Sequence, residues 1–403
     1  MTLKFETLEQ RDLLTADVQV IETFSTNNVV VAGDVAFAAA GDEGLLVIDV
    51  ESLEVANRIS PPNNLSSVDD VAIAADLLFA LDGSRPGSLS VFSIEDPQQP
   101  TLVSGPVVVD VGPFAGISAA NGRVIVSGGT GQLSLLSFDQ DGNLSEGISR
   151  IDLGLGQPDV LIADDGETAF VSTDFAGQFD GETFGITLID VPATSSPISI
   201  LDRAGIAGAG FTAGVEGPAN FPIESAQQDD TLFVASGRGI SVFDISDPLT
   251  LQQVAEIPLN TNPVNVDVFN DQLFVVGNEP TPTLTVIDVA SFNPGSASIV
   301  ETVSLPANGE PLSVAANAEH VVIADANLGV LVIATSEFTS TESTPLAGDI
   351  DGDGLVGFSD FLVLSTNFGQ SVDVGSNGDL DENGLVEFAD FLLLAAAFGA
   401  VAA

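Results

Sequence analysis

Seven short apolar segments of one pattern recur along this chain, and their recurrence limits its fold more than any other feature. They are Leu45 to Val50 (LLVIDV), Leu89 to Ile94 (LSVFSI), Leu133 to Phe138 (LSLLSF), Ile186 to Val191 (ITLIDV), Ile240 to Ile245 (ISVFDI), Leu284 to Val289 (LTVIDV) and Val330 to Thr335 (VLVIAT). Their starts lie 44, 44, 53, 54, 44 and 46 residues apart. Short β-rich runs at this period indicate propeller blades rather than helices or a sandwich. A hairpin turn precedes each run, at Asp34-Val35, Asp76-Leu77, Gly122-Arg123, Glu167-Thr168, Asp230-Thr231, Asp271-Gln272 and Glu319-His320. Acidic residues and glycine tolerate the backbone angles such turns require. Each unit therefore reads as strand, tight turn, strand, short loop and a VIDV-like third strand.

A fourth, outer strand follows in six units, for example Val254 to Leu259 and Val300 to Leu305. After the seventh it is missing, and a Ser/Thr-rich stretch, Ser336 to Gly348, takes its place. The missing strand is supplied at the other end of the chain by Val18 to Phe24 (VQVIETF). Pairing the two ends closes the ring and leaves no free sheet edge. The expected fold is an all-β, seven-bladed β-propeller over residues 18–336, its N-terminal strand completing the last blade. Insertions fall in units four and five, near Phe175 to Gly185 and Arg203 to Ser225. The second is Gly-rich and either caps one face of the ring or is an ordinary tolerated loop.

From Gly348 the period changes. Gly348 to Gly369 (GDIDGDGLVGFSDFLVLSTNFG) and Gly378 to Gly399 (GDLDENGLVEFADFLLLAAAFG) are near copies offset by 30 residues. Each opens with a loop that offers oxygens at regular spacing. The first offers Asp349, Asp351, Asp353, the Leu355 carbonyl and Asp360. The second offers Asp379, Asp381, Asn383, the Leu385 carbonyl, Glu387 and Asp390. Gly354 and Gly384 hold the sixth position, where the loop bends sharply. This ligand set and spacing suit Ca²⁺, two ions in all. A helix is predicted after each loop. Phe358, Phe361 and Leu362, with Phe388, Phe391 and Leu392, supply an apolar face along which the helices pack, and Val356 and Val386 pair the loops. So small a module has little core, and metal binding is expected to supply much of its folding energy.

Three resemblances follow from these motifs. The VIDV segments, clearest in Gly239 to Pro248 (GISVFDISDP), resemble the LVIVD-repeat propeller family over roughly residues 18–336. The paired loops, with Asp360 and Asp390 at position twelve, resemble a type I dockerin, here residues 348–400 after a linker at 337–347. Dockerins attach exported proteins to cohesin-bearing scaffolds, often in polysaccharide-degrading assemblies. Typical members carry Ser or Thr at loop positions ten and eleven and basic residues late in the helix. This chain has Phe358-Ser359 and Phe388-Ala389 there, and no basic residue in either helix. A divergent or intramolecular partner is therefore as open as a cohesin. Leu8 to Leu14 (LEQRDLL), in a leader at 1–17, resembles the LEPR-xLL motif of large exported proteins of aquatic bacteria, with Gln10 where that motif has Pro.

Composition narrows the function. The chain has 8 basic and 58 acidic residues, a net charge of −50; its one lysine is Lys4, and no basic residue follows Arg238. Nucleic acid and anionic bilayers draw on basic side chains, so both would repel it. A generally acidic proteome of a saline habitat accounts for most of this charge. There is no Cys, Trp or Tyr, and His320 is the one histidine, in a hairpin slot whose equivalents vary, so it reads as a surface residue. Triads, thiol nucleophiles and His-rich metal sites are excluded. Asp69-Asp70, Asp164-Asp165 and Asp229-Asp230 read as solvated turns, and no catalytic residue is singled out. The expected role is a non-catalytic, secreted or cell-surface bacterial interaction protein, its propeller a binding platform and its calcium module a docking element. The alternative is a dockerin-borne enzyme of a polysaccharide-degrading assembly.

Overall fold

The structure, a computed structural model, describes residues 17–60, 67–84, 87–109, 116–128, 131–145, 149–153, 156–179, 182–192, 196–206, 224–236, 239–290, 298–338, 348, 350, 356–372, 378–381 and 383–398. The Leu8 to Leu14 motif and most of the second insertion lie outside them. The chain divides into two compact units, Met1–Phe338 and Thr339–Ala403.

In the first unit the described residues form seven four-stranded sheets. Six take their strands in sequence order and make blades one to six, over 28–59, 70–108, 117–152, 156–205, 225–258 and 263–304. Blade seven takes three strands from 311–334 and its fourth from Gln19–Glu22, which pairs antiparallel with Gly329–Ala334. The surplus strand at one end thus fills the deficit at the other.

The first strand of each blade lies innermost. These strands are Asn28–Ala32, Asp70–Ala74, Ile117–Ala120, Gly156–Ile162, Ser225–Gln228, Pro263–Phe269 and Pro311–Ala316. Each contacts the first strand of the next blade, and Pro311–Ala316 contacts Asn28–Ala32. That last contact closes the ring.

Seven buried apolar clusters fill the seven gaps between neighbouring blades. In strand Leu45–Asp49, Leu45 and Val47 pack toward blade two while Leu46 and Ile48 pack toward blade seven. Both faces are covered, so the third strand of a blade carries a continuous apolar run instead of strict alternation. The outer strand Glu54–Ile59 has one neighbour and is mostly exposed. At the turns Asn121-Gly122 and Asn270-Asp271 both residues have positive φ, the geometry whose twist matches a two-residue hairpin. The first insertion lengthens a hairpin, Thr168–Phe179 with Glu182–Asp190, whose register reaches Phe179↔Glu182.

The second unit contains helices α1 (Phe358–Asn367) and α2 (Phe388–Ala397). Val356, Leu364, Val386 and Leu394 are fully buried between them, and the Phe361 and Phe391 rings meet edge to face at 6.3 Å. The packing face differs from the one expected. Leu362, Leu392 and Phe388 are 49%, 54% and 62% exposed, and Leu364 and Leu394 are buried in their stead. A helix turns about 100° per residue, so the position next to Phe361 faces away while the one three residues on returns to its side. The side chain of Phe358 lies outside the described residues. Among the described residues no helix is long and apolar enough to cross a membrane.

Candidate functional site

The C-terminal unit brings together carboxylates that the sequence spaced apart. In the second loop the oxygens of Asp379, Asp381 and Asp390 lie within 4.8 Å of one another. Asp390 is fully buried at the start of α2. Its Oδ1 accepts the N–H groups of Leu380 at 2.8 Å and Asp381 at 3.0 Å, and its Oδ2 accepts that of Glu387 at 2.7 Å. Asp379 accepts the N–H groups of Asn383 at 3.0 Å and Gly384 at 2.8 Å. Gly384, with φ +80°, makes the bend that wraps the loop around this point. Asn383 Oδ1 takes the Leu385 N–H at 2.8 Å, and exposed Glu387 caps α2.

The first loop shows the same anchor at its end. Asp360, fully buried, accepts the N–H groups of Ile350 at 2.6 Å and Gly357 at 2.7 Å. Asp349, Asp351, Asp353 and Leu355 lie outside the described residues. The donor set of the second loop is oxygen only and converges at a bend, which fits a hard cation of calcium's size. On the outer side of the helices, Leu362 and Phe368 recur 30 residues later as Leu392 and Phe398, all about half exposed.

The ring has a second polar locus. Register places one residue from each inner strand, or just before it, at a common level: Asn28, Asp70, Gly116, Asp159, Glu224, Asn265 and Ser313. Several reach across to the next blade. Asp70 Oδ2 accepts the Ile117 N–H at 2.9 Å, Asn265 Oδ1 the Val314 N–H at 3.1 Å, and Ser313 Oγ the Val29 N–H at 3.4 Å. Two residues further along, Asp267 takes the Ala316 N–H at 2.8 Å. Side-chain oxygens therefore fasten one inner strand to the next.

Asp159 is buried and Asp70, Glu224 and Asp267 are partly buried, which disfavours their charged form. Burial pushes Asp159 and Asp267 each up to about 6. It pushes Asp70 and Glu224 well above the usual carboxylate range, helped by the mutual repulsion of Asp70, Asp159 and Glu224. Asp159 and Glu224 act on each other: Glu224 holds the Asp159 carboxyl down while Asp159 pushes the Glu224 carboxyl up.

No protein-family model matches the chain, and no curated protein matches it in sequence. Solved structures match its shape. The β-propeller domain of Cps50 (Swd1) from Myceliophteria thermophila aligns with a TM-score of 0.56 at 12% identity, over 79% of this chain and 99% of that one. A chain of a mitotic checkpoint complex aligns with a TM-score of 0.56 at 11% identity, over 83% and 99%. The WD40 repeats of RRP9 align with a TM-score of 0.55 at 12% identity, over 80% and 99%. The fold is a seven-bladed β-propeller. At such identities the likeness is one of fold alone.

Two readings of propeller residues are corrected. Asp70 is no solvated turn residue; it opens an inner strand and ties blade two to blade three. Asp164-Asp165 and Asp229-Asp230 do lie in turns, where Asp165 accepts the N–H groups of Glu167 and Thr168. His320 is half-buried rather than on the surface, with Nδ1 buried and no hydrogen-bond partner. The inner polar ring escaped the sequence reading. The signal was a polar or small residue heading each inner strand, as in Asp70-Val71, Asp159-Val160 and Asn265-Val266.

Proposed function

We propose that the protein is a non-catalytic, extracellular interaction protein whose propeller is a binding platform and whose C-terminal unit is a calcium-dependent docking element of dockerin type. The convergence of Asp379, Asp381 and Asp390 at the bend of a loop duplicated in sequence carries this reading. Asp349, Asp351, Asp353, the Leu355 carbonyl and Asp360 would hold one Ca²⁺, and Asp379, Asp381, Asn383, the Leu385 carbonyl, Glu387 and Asp390 the other. The ion draws the loop carboxylates inward and fixes both helices at their N-termini. That presents the duplicated apolar face of Leu362, Phe368, Leu392 and Phe398 to a protein partner. With no basic residue after Arg238, the best-matched partner has an apolar centre and a basic rim. That one similar propeller belongs to a mitotic checkpoint complex favours a platform role by analogy of fold.

Calcium titration of the whole chain by calorimetry tests the docking element. Asp390→Ala removes a charged ligand and leaves three backbone N–H groups unmatched, so it is expected to weaken binding at the second loop roughly tenfold or more. The same change is expected to abolish calcium-dependent capture of surface proteins from the source organism. Unchanged calcium affinity in this variant would remove the basis for the reading.

A further inference from the structure

We infer that the groove between blades four and five, on the face of the ring that carries the hairpin turns, is a docking site for an arginine side chain of a basic protein segment, with Asp164 and Asp229 as its charged partners. This site refines the platform role proposed for the propeller and rests on that reading. Within a blade the first and third strands run the same way, so the turn after the first and the loop after the third lie on one face. Arg123 is the only Lys or Arg in those turns and loops.

Arg123 shows how such a gap takes a guanidinium. It opens the second strand of its blade, opposite Ser137; Thr168 holds the same register position in blade four, opposite Asp190, and Gln272 in blade six, opposite Asp288. Arg123 reaches across to blade four, where its Nε–H donates to the Pro192 carbonyl at 3.3 Å, and its Nη1–H donates to the Gly122 carbonyl at 3.0 Å. Gln272 likewise donates to the Phe338 carbonyl beside blade seven at 3.3 Å. Thr168 is too short to cross. Its hydroxyl turns back to Asp165 at 3.3 Å, and the gap between blades four and five holds a cavity of about 370 Å³. Ligand pockets run from about 300 to 1,000 Å³.

The lining suits both parts of an arginine. Phe170 and Leu188, both buried, together with Ile245 and Pro248 give apolar surface for its methylenes. Asp164 and Asp229 line the groove as exposed residues, and Gln227 ties them together: its Oε1 accepts the Asp164 N–H at 3.2 Å and its Nε2–H donates to the Asp229 carbonyl at 3.0 Å. Among the described residues both bond through their backbones alone, which leaves their carboxylates for a guest. Partial burial, then repulsion from Asp229 and Asp165, raises the Asp164 pKa, and a positive charge beside it relieves both. Among the described residues no three acids of this groove converge as Asp379, Asp381 and Asp390 do, which favours a broad, forked cation over a metal ion. The gap between blades two and three is open as well, but Leu77 holds the register position there, and Asp139 is taken by the Asn143 side-chain amide at 2.9 Å.

The test uses the full chain in chelator, so that calcium docking plays no part, and a fluorescein-labelled Gly-Ser-Arg-Gly-Ser peptide. Sodium chloride at about 0.15 M screens diffuse attraction beyond about 8 Å. Fluorescence anisotropy is expected to show saturable binding that is lost when citrulline replaces arginine. Asp164→Asn with Asp229→Asn is expected to weaken it about tenfold. Glu54→Gln with Glu256→Gln removes as much charge from exposed positions on outer strands and is expected to change it by less than about twofold. Thr168→Arg fills the groove from within, as Arg123 fills its own gap, and is expected to block the peptide; should it prevent folding, the paired Asn changes decide. Equal weakening by both pairs would show attraction to the acidic surface at large and overturn the inference, as would no binding to the unaltered chain. Surface proteins captured in chelator by the chain carrying both Asn changes would then keep the platform role while the groove falls. An unaltered chain that captures none would count against the platform role itself.

Discussion

Asp267 shows how one side chain in the ring carries both cohesion and a titration. Its Oδ1 accepts the Val268 N–H at 2.9 Å and its Oδ2 the Ala316 N–H of blade seven at 2.8 Å, while burial lifts its pKa to about 6. The folded protein therefore holds this proton more tightly than the unfolded chain does. Stability from this group is fully present below the unfolded value of 3.8 and is lost as pH rises through about 6. Asp49, Asp139 and Asp244 have lowered values, set mainly by hydrogen bonds to Ser52, Asn143 and Ser246, and act in the opposite sense at acid pH. In calcium-free buffer Asp267→Asn is expected to lower stability at pH 4, since Asn has one acceptor oxygen in place of two. It is also expected to shrink the fall between pH 4 and 7 by about 1 kcal/mol, after allowance for partial exposure. Urea titrations at both pH values measure the difference, and an unchanged slope would show that Asp267 does not titrate in this range. Asp267 and Asp70 looked like two acids among 58 in the sequence. Nothing local marks a carboxylate that bonds to a strand some 50 residues away.

At the scale of elements, the seam of blade seven is the critical joint. Strand Gln19–Glu22 joins Gly329–Ala334 through the pairs Gln19↔Val332 to Glu22↔Gly329, and Ile21 is buried against Val330 and Val332. Thr26 adds a buried Oγ1–H bond to the Gly329 carbonyl at 2.5 Å. Gly329 has φ +95°, and a Cβ there would lie 2.3 Å from Thr23 Oγ1 and 2.9 Å from the Ile21 carbonyl oxygen. Gly329→Ala therefore meets both backbone strain and a clash with the closing strand. Ile21→Ala removes only packing and is expected to cost about 2–4 kcal/mol. Both are expected to lower the propeller's thermal midpoint, with the first amides to exchange with deuterium being those of residues 19–22 and 329–334. If exchange instead opened all seven blades together, the seam would hold no special weakness. This joint was legible from sequence because one end of the repeat lacked a strand and the other had one to spare. The helices of the C-terminal unit were legible in position but not in facing, since Leu362 and Leu364 are equally apolar and only packing separates them.

For the whole molecule, charge is the dominant global term. A net charge of −50 on 403 residues opposes compaction through self-repulsion. Arg58 pairs with Glu43 on the surface, where an ion pair contributes little. Salt shortens the reach of repulsion from about 10 Å at 0.1 M to about 3 Å at 1 M. Raising sodium chloride over that interval is expected to raise the propeller's melting midpoint by several degrees, measured in chelator so that specific calcium effects are absent. A midpoint that fell with salt would show that attractive pairs, not repulsion, govern the folded state.

The sequence by itself determined the number of blades, the exchange of a strand between chain ends and the spacing of the C-terminal oxygens. Each of these is a periodicity, and periodicity is written along the chain. Only the tertiary structure decided which acids matter inside the ring, because Asp70, Asp159 and Glu224 belong to three different blades and meet only when the ring closes. Burial then changes their chemistry: in a loop they would be ordinary solvated carboxylates, and beside the inner strands they keep their protons to higher pH.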